Sequence, residues 1–295
     1  MSPLESESPA IAPARRDARL RAWVLAYLRH APVALCIREL NRLLALETLC
    51  PAEPGRARSP VLDVGCGDGF WWTLYRAPSQ EVYGADISPS EVRQARRRIE
   101  AAVIDVSRDV PFPAVKFQEV IGNCSLEHVR DIDAALRNLR RCAADGARLI
   151  LFVPAPGWAY HGLVQGVLLK HFPRLAMMVS GAINGFFKHW HLYAVPVWKA
   201  IIESNGWKVV QMHGLGGERS EFLHRLFLPM ALPGFLVKSL CGVYPNRLLR
   251  WVPDGLLAPP RRLVEWALQV PLVPADDPKA YEYMFIAEKK RVQDP

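Results

Sequence analysis

Three glycines and one acid carry the most legible chemistry in this chain. Val61-Leu62-Asp63-Val64 is a short apolar run that ends directly in Gly65-Cys66-Gly67-Asp68-Gly69. Alternate glycines let the backbone turn sharply and leave no side chain in the way of a ligand lying across it. The amides of a following helix then face that ligand. A second apolar run, Val82-Tyr83-Gly84-Ala85, closes on Asp86. It lies about 20 residues further on, where an acid meets ribose hydroxyls in nucleotide-binding βαβ units. The combination reads as a site for a nucleoside-bearing cofactor. A dinucleotide fingerprint would place a third glycine at the sixth position to admit a pyrophosphate beside the helix, and here that position is Phe70.

The spacing G-x-G-x-G resembles the first motif of class I S-adenosylmethionine-dependent methyltransferases, of the type 11 kind, and the resemblance continues in order. Asp86 stands where the family has its ribose acid, and Asp105-Val106 precedes Val110-Pro111-Phe112 as its adenine-side segment does. Val120-Ile121-Gly122-Asn123-Cys124-Ser125-Leu126-Glu127-His128 is similar to the fourth-strand motif, and Leu149 to Pro154 to the fifth strand. The match covers roughly residues 57–155 and 187–212, with a last strand near 281–289. The resemblance implies S-adenosylmethionine as cofactor. Asp63, Gly65, Cys66, Gly67 and Gly69 would shape its methionine and ribose side. Asp86 would bind both ribose hydroxyls, and Ile87 would pack on adenine. Asp105 would accept from the adenine amino group beside the Val106 amide, and Asn123 would face the methionine end. Asp105 sits one residue further from its Pro-Phe than the usual spacing, which leaves Asp109 as a second candidate. Gln118 replaces an acid usual in the fourth strand, at a position that supports the strand.

A sulfonium methyl is already electrophilic, so the protein's task is to position the acceptor in line. A hydroxyl acceptor is helped by a base, and the candidate bases are His189 and His191, alternating on an extended segment so that both can point the same way. His128 ends the fourth-strand motif and reads as a packing and capping residue. Tyr160, His161 and Tyr193 are candidate substrate contacts. No metal is assigned, because neither a cysteine nor an acid stands near His189 and His191 in the sequence.

The elements that must position these residues alternate strand and helix. That alternation predicts a mostly parallel, seven-stranded Rossmann-like α/β sheet with helices on both faces and a last strand antiparallel. Residues 1–17 read as a disordered tail, 18–56 as N-terminal helices, and 57–155 as the cofactor-binding core. Residues 156–190 form an apolar helical insertion placed as a lid. The core resumes at 191–213, a second apolar and basic insertion runs over 214–279, and 280–295 holds the last strand and tail. In that second insertion prolines are expected to break the chain into short helices. Ser88, Pro89 and Glu91 form a capping-box start for one core helix.

Hydrophobic residues make up 51 % of the 295, enough for a sizeable core. No apolar run approaches the ~20 residues of a membrane helix, and the first residues lack the apolar core of a signal peptide. Six scattered cysteines suit a reducing cytoplasm and argue against a disulfide framework. A net charge of +8 permits an anionic partner without demanding one. Nucleic acid is disfavoured, because the fourth strand carries Asn123-Cys124-Ser125-Leu126 where methylases of exocyclic amines carry an Asn-Pro-Pro-Tyr-like motif. The leading expectation is methyl transfer to a small or lipid-like acceptor, and residues 214–279 are open to three readings: a structural subdomain, a cap over an apolar substrate, or a peripheral contact with an anionic membrane. An RNA methyltransferase would instead bind RNA with steep salt dependence, and a catalytically silent cofactor binder would fail to transfer isotope.

Overall fold

The computed structural model describes residues 13–51, 59–76, 80–160, 163–268, 272–278 and 280–290. The expected tail up to residue 12, most of the linker before β1, His161 and the last five residues lie outside them. Two helices, α1 (Pro13–Leu28) and α2 (Val33–Leu49), come first. α1 therefore starts inside the segment expected to be a tail. The core follows as β1 (Val61–Val64), α3 (Trp72–Tyr75), β2 (Val82–Asp86), α4 (Pro89–Ala95), β3 (Glu100–Val103), β4 (Phe117–Asn123), α5 (Ile132–Cys142) and β5 (Ala143–Pro154). After it come α6 (Leu163–His171), α7 (Pro173–Phe187), α8 (Val195–Ser204), β6 (Trp207–Leu215), α9 (Glu218–Cys241), α10 (Ala258–Ala267), β7 (Leu272–Val273) and β8 (Glu282–Lys289).

The strands form one sheet in the order β3-β2-β1-β4-β5-β8-β6-β7. β1 to β5 pair in parallel, while β8 inserts antiparallel between β5 and β6. The sheet has eight strands where seven were expected. The extra one, β7, pairs antiparallel with Gly214 and Leu215 at the outer end of β6. Two residues are too few to leave a periodic signal. Side chains alternate between the faces: Val61, Ile121, Ile150 and Phe152 join a core under α1, α2, α9 and α10, whereas Leu62, Val120, Leu149 and Leu151 join one under α5 and α8.

Local signals set several helix ends. Ser88 accepts from Glu91 N–H with Pro89 in the first turn, and Asp131 accepts from Ala134 N–H at 2.8 Å to start α5. α9 departs from expectation, since it is one 24-residue helix containing Pro229 and Pro233. Both prolines are exposed and four residues apart, so they share a face. Each proline removes one intrahelical donor, and on an exposed face water can reach the carbonyl left over, which makes the interruption tolerable.

Candidate cofactor site

The carboxyl ends of β1, β2 and β4 open onto a cleft of about 870 Å³. Gly65, Gly67 and Gly69 all have positive φ, +74°, +52° and +71°, which is why the loop needs glycine. At Gly65 a Cβ would also lie 2.4 Å from Ser125 Cβ, so β1 and β4 approach here only through a bare backbone. Gly67 N–H donates to Asp86 Oδ2 at 2.9 Å and Ser88 N–H to Asp86 Oδ1 at 2.8 Å. These bonds fix the carboxylate at the cleft and leave each oxygen a lone pair for a hydroxyl donor.

Gly65, Asp86, Ile87, Asp105 and Val106 all line the cleft. Ile87 presents an apolar side chain that is 72 % exposed there. Asp105 Oδ1 accepts from Ser107 N–H at 3.0 Å and from its hydroxyl at 2.6 Å. Asp109 is exposed and lies off the cleft wall. Cys66, Gly67 and Gly69 shape the loop without lining the cleft. A Cβ at Gly84 would meet Cys66 Sγ at 2.6 Å, and Gly69 packs on Ala95 and Ile99.

Asp63 turns away from the cleft and is buried, accepting from Trp72 Nε1 at 2.6 Å. Burial pushes its carboxyl up to about 7. Its Oδ1 and the Ser125 hydroxyl are buried without a hydrogen-bond partner. Such atoms are costly unless a ligand or water completes them. S-adenosylmethionine brings an ammonium and two ribose hydroxyls as donors, so the unsatisfied Ser125 hydroxyl, which lies on the cleft wall beside the glycine loop, fits that cofactor.

Asn123 is a correction. Its side chain donates to Glu39 Oε2 at 3.0 Å and accepts from Arg42 Nη1 at 2.8 Å, which ties it into a polar knot under α2. In that knot Arg42 reaches Glu282 through Nε at 3.0 Å and Nη2 at 2.6 Å, and Arg38 binds the same carboxylate. Cys124, with φ +50°, accepts from Arg42 Nη2 at 2.9 Å. Burial alone would raise the Glu282 carboxyl, but Arg38 and Arg42 hold it down at about 2. Sequence reading missed this knot. Its trace was present, since the charged Arg38, Glu39 and Arg42, with Asn41, interrupt the otherwise apolar run from Val33 to Leu46, and charges there must either break the helix's buried face or pair inside it.

The two candidate bases do not share a face. His191 turns inward, with Nε2 donating to Val129 O at 2.7 Å and Nδ1 receiving Tyr193 O–H at 3.0 Å. Both ring nitrogens are thus engaged, and with them Tyr193. His189 instead stacks on His128, centroids 5.1 Å apart, and meets the edge of Trp158. Burial, with help from His128 and Arg38, lowers its imidazole to about 3. Tyr160 ends the turn Trp158–Tyr160 and is off the cleft wall. His128, Phe187, Lys188 and Trp190 do line the cleft. Phe187 to Trp190 come from the end of the insertion placed as a lid, so position at the strand ends was the signal available for them. The sequence neighbourhood of His189 holds no acid, yet the fold brings Glu127 beside it.

Residues 27–212 match a family model described as a methyltransferase domain. Among curated proteins the chain is 34 % identical over 142 residues to a demethylmenaquinone methyltransferase of Thermus thermophilus, covering 45 % of this chain and 63 % of that protein. It is 31 % identical over 115 residues to a malonyl-[acyl-carrier protein] O-methyltransferase of Erwinia pyrifoliae, covering 38 % and 43 %. Both alignments span less than two thirds of those relatives. Among solved structures, a phosphoethanolamine N-methyltransferase 2 of Haemonchus contortus, in complex with S-adenosyl-L-methionine, superposes with a TM-score of 0.50 at 18 % identity, over 85 % of this chain and 53 % of that one. A candidate sarcosine dimethylglycine methyltransferase of Galdieria sulphuraria gives 0.52 at 11 % identity, over 86 % and 85 %.

Proposed function

The chain belongs to the methyltransferase domain family and is a class I S-adenosylmethionine-dependent methyltransferase, and from that premise we propose that it methylates an apolar, lipid-like small molecule taken from a membrane surface. When bound, the cofactor supplies an electrophilic sulfonium methyl. Asp86 would hold the ribose, Ile87 and the Asp105–Val106 turn the adenine, and the glycine loop with the Ser125 hydroxyl the methionine end. The acceptor would enter past Phe187, Lys188 and Trp190.

One observation carries the reading. α7 reaches the cleft, where Phe187 ends it, and with Phe172 just before it presents Met177, Met178 and Phe186, all four at 54–72 % exposure. Phe187 also meets Phe235 of α9 at 5.6 Å, which joins this strip to the second insertion, with Met230 70 % and Leu240 85 % exposed. Contiguous apolar surface of this kind marks an interaction site. Exposed Lys170, Arg174 and Lys188 flank the α7 strip and would meet anionic headgroups. Arg247 and Arg261 of the second insertion are drawn instead into contacts with Asp68 and Glu265. Attachment would be peripheral: no single described helix is long and apolar enough to cross a membrane. α9 passes such a test only jointly with the turn Pro245–Trp251, from which it bends by 97°. Relatives named for demethylmenaquinone and for malonyl-acyl-carrier protein support a small, carrier-like or lipid-like acceptor. All six cysteines are free thiols, which supports a cytoplasmic setting at the inner face of a membrane.

The test pairs two measurements. Co-sedimentation with vesicles should require anionic lipid and fade at high salt, and label from the methyl-labelled cofactor should appear in an organic extract of a cell lysate. Label confined to the aqueous phase or to RNA, with no sedimentation under any condition, overturns the proposal.

A further inference from the structure

We infer that Glu127, His128 and His189 form a binding site for a borderline divalent cation of the zinc class, at the rim of the cleft where the acceptor enters. This goes beyond the methyl-transfer reading and does not depend on which acceptor is used.

The three side chains come from two segments that the fold fastens together. Glu127 and His128 lie in the turn Leu126–His128 after β4. His189 lies in the extended stretch between α7 and α8. Trp190 N–H and His191 N–H both donate to Glu127 O, at 2.8 and 3.2 Å, and His189 N–H donates to Asn184 O at 3.0 Å. One ligand atom from each of Glu127, His128 and His189 lies within 4.8 Å of the others, and His128 Nε2 is 3.7 Å from Glu127 Oε1. Donors around a tetrahedral ion at about 2.1 Å stand roughly 3.4 Å apart, so the three would draw together by at most about 1.4 Å on binding.

The second ring nitrogens are arranged as metal ligands require. His128 Nδ1 donates to Lys188 O at 3.3 Å. His189 Nδ1 lies 3.1 Å from Asn184 Oδ1. Fixing the proton on Nδ1 leaves the Nε2 lone pair of each ring for an ion and holds the ring's orientation.

An independent observation points to a ligand. The Glu127 side chain is 1 % exposed, and its Oε2 is buried without a hydrogen-bond partner. A buried carboxylate oxygen left unsatisfied is costly, and a cation held by this carboxylate and two imidazoles removes that cost. The largely buried cations facing the cluster, Arg38 and Arg42, are both bound to Glu282, and Arg42 also to Glu39, so their two charges are matched by two acids. Two imidazoles and one carboxylate suit borderline ions better than calcium or magnesium. Three protein ligands leave a position open, the arrangement of sites that bind substrate. Because His128 is also part of the cleft wall, that position faces the entering molecule, where it would anchor an oxygen acceptor and lower the pKa of a hydroxyl.

The experiment uses the full chain stripped with a chelator and titrated by calorimetry with Zn²⁺, and spectroscopically with Co²⁺. Wild type should bind one ion per chain, and Co²⁺ should develop the visible bands of a low-coordinate nitrogen–oxygen site. His128→Gln and His189→Gln should each weaken binding by roughly a hundredfold, and Asn184→Ala by roughly tenfold. The exposed Cys241 is controlled by Cys241→Ser, which should bind like wild type. Circular dichroism and cofactor affinity report whether each variant is folded. If wild type takes up no ion, or if folded histidine variants bind as well as wild type, the site does not exist.

Discussion

Replacing Glu282 with Gln should be among the most destabilising single changes of charge in this protein. The Glu282 side chain has no exposure and answers two guanidiniums, Arg38 and Arg42, that are themselves 16 % and 2 % exposed. Glutamine keeps the shape and one acceptor but removes the charge, leaving Glu39 as the acid that still contacts Arg42. Breaking a buried pair from one side costs about 3–5 kcal/mol. A second route gives a similar figure: the carboxyl falls from 4.5 to about 2 on folding, which at about 1.4 kcal/mol per pKa unit is roughly 3 kcal/mol. For a chain of this size that is a fall in Tm of about 6–12 °C. The sign with pH follows from the depressed value. The contribution is fully present above the unfolded value of 4.5 and is lost as pH falls toward about 2. Urea unfolding of both proteins from pH 3 to pH 8 is the assay. The gap between them should be flat above about pH 5 and narrow below it. A gap under about 1 kcal/mol at pH 7, or one that does not change with pH, refutes the assignment of Glu282 as the counter-ion of this knot.

Three further outcomes are expected. Asp86→Ala should weaken S-adenosylmethionine binding at least about tenfold by calorimetry, since each lost charge-assisted hydrogen bond is worth roughly 1.5–3 kcal/mol; unchanged affinity would remove Asp86 from the site. Asp63→Asn should flatten the pH dependence of the cofactor-free protein. The wild-type carboxyl is raised to about 7, so its contribution is present below the unfolded value and lost as pH climbs through 7, and a variant curve parallel to wild type would contradict the burial argument. His191→Ala should cost about 1–3 kcal/mol of stability through the stranded Val129 carbonyl and spare cofactor affinity. A turnover loss of ~10²–10⁴ without a stability loss would restore His191 as a base.

The cleft and its loop were legible because their signals are local. Glycines that need positive φ, an acid closing an apolar strand, and the cap at Ser88 each work within a few residues, and the structure places them within hydrogen-bond reach of one another. What escaped reading joins distant segments. Asn123 looked like a cofactor contact because its neighbours in sequence are. Its partners Glu39 and Arg42 lie more than 80 residues away in sequence, and no spacing rule reaches that far. His189 and His191 have the period of a strand, which puts both on one side. The chain there is held to the turn after β4 by backbone bonds to Glu127, and that twist separates them. The prolines of α9 are a helix breaker by rule, overridden because both fall on an exposed face, where water can serve the carbonyls they free.

The position of β8 has a consequence for how the chain comes into being. The strand is threaded between β5 and β6, and it carries the counter-ion of arginines whose partner is 240 residues away in sequence. At about 5–20 residues per second of synthesis, the N-terminal half waits on the order of tens of seconds for the segment that completes it. Until then β5 and, once it is made, β6 present open edges, which invite pairing with other chains, and α2 carries Arg38 and Arg42 with only Glu39, beside Arg42, to answer them. Yield in a cell should therefore depend on holding factors and on translation speed more than the final stability suggests. Lesions in β8 should surface first as aggregation of nascent chains, before any change in catalysis.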